Sequence, residues 1–548
     1  MPINKICKVC DKAFAWEDAD LEYFKRFGFE PLDTCRDCLH MQRLCFRNER
    51  VFYRRKCDAT GQEIISLYHP DSLYEVYKAD YYWSDKWDPM SYGRSFDFAR
   101  SFFEQFQELK MQVPRLAIHN AKAENSDYCN TSVGNKNSYM IFGGDYNENG
   151  MFGVLCDKNR FCVDLDFSYN NELLYFCSDV VNSYDCQFLF NSDNCANCYF
   201  CEECSGCSEC ILCFNLKNQK FCIENKQYSK EEYFEMQAKL INGSKETQRN
   251  LFSKFVVNRK NKITKYAHVV NCQDCSGDYL KNSKNCKLCF DVANSEDCRD
   301  VIYGSKVKDC FLSDMLGLGQ ELAYNMVSAL GGFNNRLSFW LIDSNNITYC
   351  DFMNHCSDCL GCIGLNHRSY CILNKQYSKE EYEELMPKIV DSIKKNQEWG
   401  EFFDPKLSCF GYNETTANIY FPLKKEEALA RGFKWQDKTD HTYKQQTYRL
   451  ADNINDVSDD ILDAILQCET CSKNYKILKE ELAWYRKKSV PIPTECFDCR
   501  MKMRADLRNP KKLWERQCDK CGSKLESTYD PAKEQKVYCE KCYLAEVY

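Results

Sequence analysis

The chain has 548 residues, of which 44% are hydrophobic and 14% aromatic, enough for about three or four domains. This composition supplies apolar cores and excludes a disordered polymer. The net charge of −8 excludes a uniformly basic surface for nucleic acid. The 39 cysteines exceed ordinary usage for a chain of this length, so metals, disulfides or buried thiols must account for them.

The N-terminal segment 1–6 lacks the apolar run of an export signal, and no stretch approaches the roughly 18 apolar residues of a membrane span. We therefore expect a cytoplasmic protein without a membrane partner. In that reducing compartment, cysteines serve as metal ligands or remain free thiols.

The two ends of the chain carry the same cysteine spacing, C-x2-C-x24-C-x2-C. Two cysteines two residues apart direct both sulfurs to one ion, and two such pairs complete a closed tetrahedral shell typical of structural zinc. The copies match beyond the ligands at a constant offset of 461, which predicts zinc modules at 1–90 and 461–548. Four buried thiols without metal are the alternative. The predicted ligands are Cys7, Cys10, Cys35 and Cys38, and Cys468, Cys471, Cys496 and Cys499.

The C-terminal copy has a second set of four cysteines, Cys518, Cys521, Cys539 and Cys542. The same positions of the N-terminal copy hold Cys57, Thr60, Lys78 and Tyr81. We therefore predict three structural zinc ions, one at the front and two at the back. Aromatic packing is expected to replace the missing ion, from Tyr74, Tyr77, Tyr81, Tyr82 and Trp83.

The terminal motifs resemble a bacterial family of zinc-ribbon, treble-clef-like domains. The resemblance rests on Ile6-Cys7-Lys8-Val9-Cys10, Phe14, Tyr23-Phe24, Phe29 and Cys35-Arg36-Asp37-Cys38, about 40 residues at each end. The family often has Arg after the last ligand; Arg500 fits and Leu39 departs. The resemblance implies that the modules have structural and binding roles and do not catalyse a reaction. The tail from Arg508 to Tyr543 looks like the ends of an uncharacterised cysteine-rich protein family of small-genome uncultivated bacteria.

The middle of the chain has a repetitive texture. A connecting helix is predicted within 91–117, with an apolar face between Phe96 and Leu109. From 118 onward, N-S-x-x-C segments recur at intervals of about 9 or 12 residues, typical of a β-solenoid. We thus predict a mainly β, multidomain protein, with a duplicated β-solenoid flanked by α+β zinc modules.

A larger duplication divides this middle into halves, 118–268 and 269–398. Four cysteines recur at an offset of 149, and the segment from Asn225 to Tyr233 recurs unchanged from Asn374. Each copy ends in S-x-x-E, a capping box that predicts a capping helix. A linker with short ordered elements is predicted at 399–460, with Thr439 to Gln446 as its flexible part.

Seven cysteines occupy every third position from Cys195 to Cys213. Residues i and i+3 of a flat strand point to opposite faces, so only tight turns or a three-residue path could gather them. They are interpreted as buried thiols, with a further metal site, an iron–sulfur cluster or disulfides as alternatives.

No nucleotide-binding, zinc-protease or serine-hydrolase motif occurs, so no catalytic or cofactor-binding residue is predicted. His355 and His367 flank the second cysteine cluster and are expected to have surface or structural roles. Basic residues follow each second cysteine pair, where nucleic acid is one possible partner. The candidates for such contact are Arg43, Arg47, Arg500, Arg504, Arg508 and Lys512.

The leading hypothesis is a non-enzymatic zinc-binding scaffold that binds protein or nucleic acid. The first rival is a nucleic-acid-binding protein that uses the basic segments. The second is a carbohydrate-active β-helix enzyme, whose candidate acids would be Asp164, Asp166, Asp179 and Asp185.

Overall fold

The computed structural model describes residues 1–437 and 443–547. The chain is mainly β, with 31% strand and 25% helix. No helix in these two ranges is long and apolar enough to cross a membrane. The flexible segment predicted from Thr439 lies partly outside the described residues.

The N-terminal module combines short antiparallel hairpins with helices. Its strands are β1 (Ile3–Ile6), β2 (Ala13–Trp16), β3 (Tyr53–Lys56), β4 (Glu63–Ser66) and β5 (Val76–Tyr77). Its helices are α1 (Asp18–Phe27), α2 (Arg36–Leu44) and α3 (Ala79–Tyr82). β1 pairs with β2 and β3 with β4, so each hairpin positions one cysteine-bearing turn.

The connecting helix is shorter than the sequence predicts. A 3-10 turn (Pro89–Tyr92) precedes α4 (Phe102–Gln112), which begins after Ser101 because the Ser101 hydroxyl accepts the Glu104 N–H. Phe98 therefore lies before the helix and is exposed. β6 (Arg115–Leu116) follows and pairs with β5 of the module.

The first large sheet, here called the first ladder, stacks its strands in sequence order, all parallel except the last, which is antiparallel. Its register is constant, since Met151 faces Val163, Val163 faces Tyr175, and Tyr175 faces Gln187. A short pair, β7 (Asn120–Ala121) and β8 (Ser132–Val133), precedes it. The ladder comprises β9 (Tyr139–Phe142), β10 (Met151–Val154), β11 (Val163–Asp166), β12 (Tyr175–Val181), β13 (Gln187–Asp193), β14 (Ala196–Glu202), β15 (Ser208–Ile211), β16 (Lys220–Ile223) and β17 (Lys226–Gln227).

The backbone turns at every third residue of the ladder, where φ is positive. Such residues include Phe152, Leu155, Phe161 and Phe176, side chains that rarely adopt this conformation. The left-handed residue reverses the alternation of faces, so residues three apart both point inward. The residue before each of the seven cysteines from Cys195 to Cys213 has positive φ, so all seven side chains can point to the same side of the strands.

The interior holds a row of buried asparagines one above another. Asn147, Asn159 and Asn171 each donate their side-chain N–H to the Oδ1 of the asparagine 12 residues earlier, at 3.1, 3.1 and 2.9 Å. Each also donates to a backbone carbonyl. The row thus satisfies buried amides that would otherwise cost free energy, and it fixes the register.

The second large sheet, the second ladder, repeats the design after α5 (Lys230–Leu240), α6 (Lys245–Asn261) and β18 (Thr264–Lys265). Its register is less regular, because Val269 pairs with Leu280, 11 residues on, and Asp314 with Val327, 13 residues on, whereas the first ladder keeps an offset of 12. It comprises β19 (Val269–Val270), β20 (Gly277–Lys281), β21 (Cys289–Ala293), β22 (Arg299–Ser305), β23 (Phe311–Gly317), β24 (Glu321–Tyr324), β25 (Val327–Arg336), β26 (Phe339–Thr348), β27 (Asp351–Asn354), β28 (Ser357–Leu360), β29 (Ser369–Ile372) and β30 (Lys375–Gln376).

A capped helix follows each ladder, as the S-x-x-E motifs predict. Ser229 and Glu232 form a reciprocal capping box at α5, and Ser378 and Glu381 form one at α7 (Lys379–Lys395). In each case the helix packs a tyrosine onto an aromatic residue of a terminal strand, Tyr233 onto Phe221 and Tyr382 onto Tyr370.

The C-terminal module follows a linker of short helices, α8 (Ala417–Tyr420), α9 (Lys425–Ala430) and 3-10 turns at Pro405–Leu407, Tyr412–Glu414, Ile454–Asp456 and Asp459–Leu462. The module repeats the N-terminal elements as β31 (Leu466–Gln467), β32 (Asn474–Tyr475), α10 (Lys479–Lys488), α11 (Phe497–Ala505), β33 (Trp514–Gln517), β34 (Lys524–Ser527), β35 (Val537–Tyr538) and α12 (Glu540–Val547). β35 pairs with β18, as β5 pairs with β6.

Candidate metal centres

The N-terminal centre joins a hairpin turn to the start of a helix. Cys7 follows β1, and its carbonyl accepts the Asp11 N–H at 2.9 Å, which closes the first turn. Cys35 is the N-cap of α2, and its N–H donates to the Cys7 Sγ at 3.3 Å. Cys38 lies in the first turn of the helix, where the positive end of the helix dipole favours thiolates.

The C-terminal module contains two such centres. Cys496 caps α11 as Cys35 caps α2, and Cys539 directly precedes α12. The Cys539 N–H donates to the Cys518 Sγ at 3.2 Å, the same contact that closes the N-terminal centre. The second C-terminal centre lies at the surface, with Cys521 exposed.

The sulfur geometry of all three groups fits one ion each. Within each group the four Sγ atoms lie within 4.8 Å of one another. Individual edges measure 3.8 Å (Cys10–Cys35), 3.6 Å (Cys471–Cys496) and 3.8 Å (Cys521–Cys539). A tetrahedron with metal–sulfur bonds of about 2.3 Å has edges of about 3.8 Å. These groups are the predicted ligands of the two modules, and each could hold a metal ion.

Hydrogen bonds prepare some of these thiols for ligation. A hydrogen bond with Cys38 lowers the pKa of Cys35 to about 5. The Ser523 hydroxyl lowers the pKa of Cys521 to about 6. A thiolate, not a thiol, binds the metal, so both pKa shifts favour ligation.

The N-terminal module lacks a second four-cysteine group, yet the chain at the equivalent position still forms the same kind of turn. The Cys57 carbonyl accepts the Gly61 N–H at 2.8 Å, and the Cys57 Sγ accepts the Lys78 N–H at 3.3 Å. Cys57 is buried with Tyr77 and Tyr82, and the Tyr77 ring lies 5.2 Å from that of Tyr81. Of the five aromatic residues predicted to pack here, Tyr77, Tyr81 and Tyr82 surround Cys57, whereas Tyr74 belongs to a different buried cluster and Trp83 is half-exposed.

The central cysteines form no fourth group. Within 1–437 and 443–547, only the three terminal groups bring three or more ligand atoms together, so Cys195 to Cys213 are not gathered around one point. All 39 cysteines lie in the described ranges, and none of them forms a disulfide. Burial raises the pKa of Cys129 to about 11 and of Cys162 to about 12, which keeps these thiols neutral.

The C-terminal module docks on the first ladder through a row of ion pairs. The Arg500 Nε lies 2.7 Å from Asp164, and the Arg504 Nε lies 2.9 Å from Asp166. The Arg508 Nε lies 3.0 Å from Asp179. Asp164 also lies 3.1 Å from Arg504, and the Arg504 side chain has no exposed surface. The fourth candidate acid, Asp185, pairs with Lys488.

The N-terminal module docks on the second ladder by the equivalent residues. Arg43, at the position of Arg504, lies 2.5 Å from Asp314. Arg47, at the position of Arg508, contacts the Ser328 hydroxyl and Glu49. Arg36 adds a pair at 2.9 Å with Asp300. The helices α2 and α11 therefore each pack on the ladder that is farther from them in sequence. The modules also contact the nearer ladder, since Arg508 pairs with Asp291 and the Asn130 side chain donates to the Glu49 carbonyl.

This docking places the candidate nucleic-acid residues away from solvent. Arg43, Arg47, Arg500 and Arg504 are each less than 5% exposed, and their guanidinium groups face carboxylates or hydroxyls of the same chain. Of the six candidates, Lys512 is exposed to solvent. The row of aspartates suggested for carbohydrate chemistry and the row of arginines suggested for phosphate contact pair with each other. Spacing along the sequence gives no signal for such pairing.

Comparison with known proteins does not assign the chain to a family. No known protein family matches the chain, and no curated protein matches it. Among solved structures, a protein described as an acetyltransferase from Desulfovibrio desulfuricans G20 aligns at 10% identity. The alignment covers 48% of this chain and 69% of that one, with a TM-score of 0.12, and carries no argument about fold or function.

Proposed function

We propose that the protein is a non-enzymatic scaffold in which structural zinc builds two terminal modules, and the modules hold the two halves of a β-solenoid together. The reciprocal docking of each module on the opposite ladder supports this proposal most directly. Zinc is the ion of choice because four thiolates in a closed tetrahedron suit it and leave no position for substrate.

The proposed solenoid advances by one strand per coil and turns at every third residue. The constant register of the first ladder and the periodic positive φ values support it. In this proposal the terminal modules are zinc ribbons of treble-clef type. A reducing, cytoplasmic setting fits a protein whose thiols are packed as small apolar groups in the coil interior.

The partner of such a scaffold would bind the outer surface of the solenoid. The basic faces of both modules are used within the chain, whereas the ladder edges carry exposed rows of alternating charge. In one row Lys136 lies 3.3 Å from Glu124, and Arg160 lies 3.3 Å from Glu148. We propose a protein or nucleic acid as the partner, recognised by this surface.

Thiol footprinting after metal removal tests the holding role. Cys162 directly precedes β11 and Cys177 lies in β12, two of the strands that α11 contacts, whereas Cys222 lies at the far end of the same ladder. After chelation, we expect labelling to rise first at Cys162 and Cys177, because loss of the module uncovers their strands. Uniform protection after complete metal loss would contradict the proposal, since the ladders would then be stable without the modules.

A further inference from the structure

One edge of the second ladder carries a column of one aspartate and two histidines that lies outside the terminal modules. Asp343, His355 and His367 each follow a paired ladder residue, one on each of three successive coils. All three have positive φ and therefore occupy equivalent turns on neighbouring strands. All three are exposed, so an ion in solution could reach them.

The two imidazoles are close enough to share an ion. Their ring centroids are 4.8 Å apart, at an interplanar angle of 76°. The parallel strands hold this spacing, because the His355 N–H donates to the Ile342 carbonyl and the His367 N–H to the Asn354 carbonyl, both at 2.9 Å. Because the paired strands already hold the two histidines side by side, binding an ion would cost little additional backbone entropy.

The carboxylate of Asp343 lies where it would orient one ligand. Its Oδ2 is 3.7 Å from the His355 Nδ1. At this distance, which is beyond a direct hydrogen bond, the negative charge favours a proton on Nδ1 and leaves Nε2 to ligate. The corresponding turns of the first ladder carry Asn194, Gly206 and Asn218, which offer no imidazole.

We propose that His355 and His367 bind a divalent transition-metal ion of the class that imidazole favours, such as nickel, copper or zinc. Two nitrogen ligands come from the protein and water completes the coordination. Asp343 is a positioning residue that orients His355. The site is independent of the terminal cysteine groups and binds more weakly, because it supplies two ligands instead of four.

Nickel titration of the untagged, zinc-loaded protein tests this site. Calorimetry should detect one nickel ion per chain, and His355→Ala and His367→Ala should each weaken binding at least tenfold. Asp343→Asn should weaken binding by less and leave one ion per chain. Asn346→Ala, an exposed position on the same strand as Asp343, is the matched control and should bind like the parent.

Two results would overturn the assignment. One is nickel binding that persists unchanged in the His355→Ala/His367→Ala double variant, which would place the ion on thiols. The other is the absence of binding in a parent protein that retains its three zinc ions. Zinc content and thermal unfolding of every variant should match the parent, so that a loss of fold is not mistaken for a loss of ligand.

Discussion

The two terminal modules match at a constant sequence offset, yet their equivalent arginines meet different partners. The C-terminal module directs Arg500, Arg504 and Arg508 at three aspartates of the first ladder. The N-terminal module retains one equivalent pair, Arg43 with Asp314. Its second arginine contacts a serine where the other copy has an aspartate. The docking of the helix is thus kept while the partners of the equivalent arginines change, and the N-terminal module adds the pair of Arg36 with Asp300.

The same comparison extends to metal content. The C-terminal module has two cysteine groups, and the N-terminal one has a single group beside the aromatic cluster around Cys57. Aromatic packing therefore occupies, in one module, the position that a four-cysteine group occupies in the other. The N-terminal module shows that the turn geometry persists without four thiols.

The largest expected effect comes from removing a ligand of the first C-terminal centre. Cys471→Ser should lower the zinc content from three ions to two and release the module from the ladder. Structural zinc contributes about 10–16 kcal/mol to comparable sites. Metal analysis and limited proteolysis measure both effects. Cys57→Ser is the control, and a loss of zinc in that variant would mean that Cys57 is a ligand after all.

Restoring the absent site should produce the opposite change. The triple substitution Thr60→Cys, Lys78→Cys and Tyr81→Cys completes four thiols on the preserved turn, so metal analysis should find four ions. The gain in stability should be smaller than the loss above, because the contact between Tyr77 and Tyr81 disappears. Adding Cys57→Ser should return the count to three; four ions in that variant would place the new ion elsewhere.

Removing one docking arginine should have an intermediate effect. Arg504→Ala leaves Asp164 and Asp166 buried without this partner, and breaking a buried pair costs about 3–5 kcal/mol. Arg43→Ala leaves only one carboxylate without its arginine partner, so the loss of stability should be smaller. The urea midpoint at fixed zinc concentration measures both. Lys512→Ala, at an exposed position, should change stability by less than about 0.5 kcal/mol; an effect of Arg504→Ala as small as that would refute docking by ion pairs.

The smallest effect concerns two histidines at equivalent positions, His119 and His268. Burial, with the charge of Arg47, lowers the pKa of His119 to about 4. Burial would also lower the pKa of His268, but Asp278 and Glu203 outweigh it and raise the pKa to about 10. At pH 7, imidazole NMR should therefore find His119 neutral and His268 protonated. Two imidazoles in the same state would contradict this.

These shifts have opposite consequences for stability. The contribution of His268 should be fully present below about pH 6.5 and lost as the pH rises towards 10. The contribution of neutral His119 should be present above about pH 6.5 and lost as the pH falls towards 4. His268→Gln and His119→Gln should each remove one dependence, as thermal unfolding across this range can test.

Much of the metal-site geometry could be predicted, because ligand spacing is local. Two cysteines separated by two residues define a turn by themselves, and the offset of 461 identifies the copy. The capping boxes are equally local. The constant strand register was harder to predict, since bulky residues such as Phe152 and Phe176 at positive φ contradict ordinary backbone preferences.

The docking could not be predicted from one sequence. Arg500 and Asp164 are 336 residues apart, and each alone is typical of a solvated surface. Only their approach in the fold changes an exposed charge into a buried pair. The contact between His355 and His367 was also hidden, since it depends on a strand register that the sequence did not determine.

The reciprocal docking also has a consequence for how the chain could be divided. A cut between α6 and β18 would leave two fragments, each with one module and one ladder, and each module would seat on the ladder of the other fragment. We expect two such polypeptides, produced separately, to assemble into a complex in which each fragment contributes its module to the ladder of the other. Strand β18 would then rejoin β35 within one fragment, while the ion pairs of α2 and α11 would bind the two fragments together.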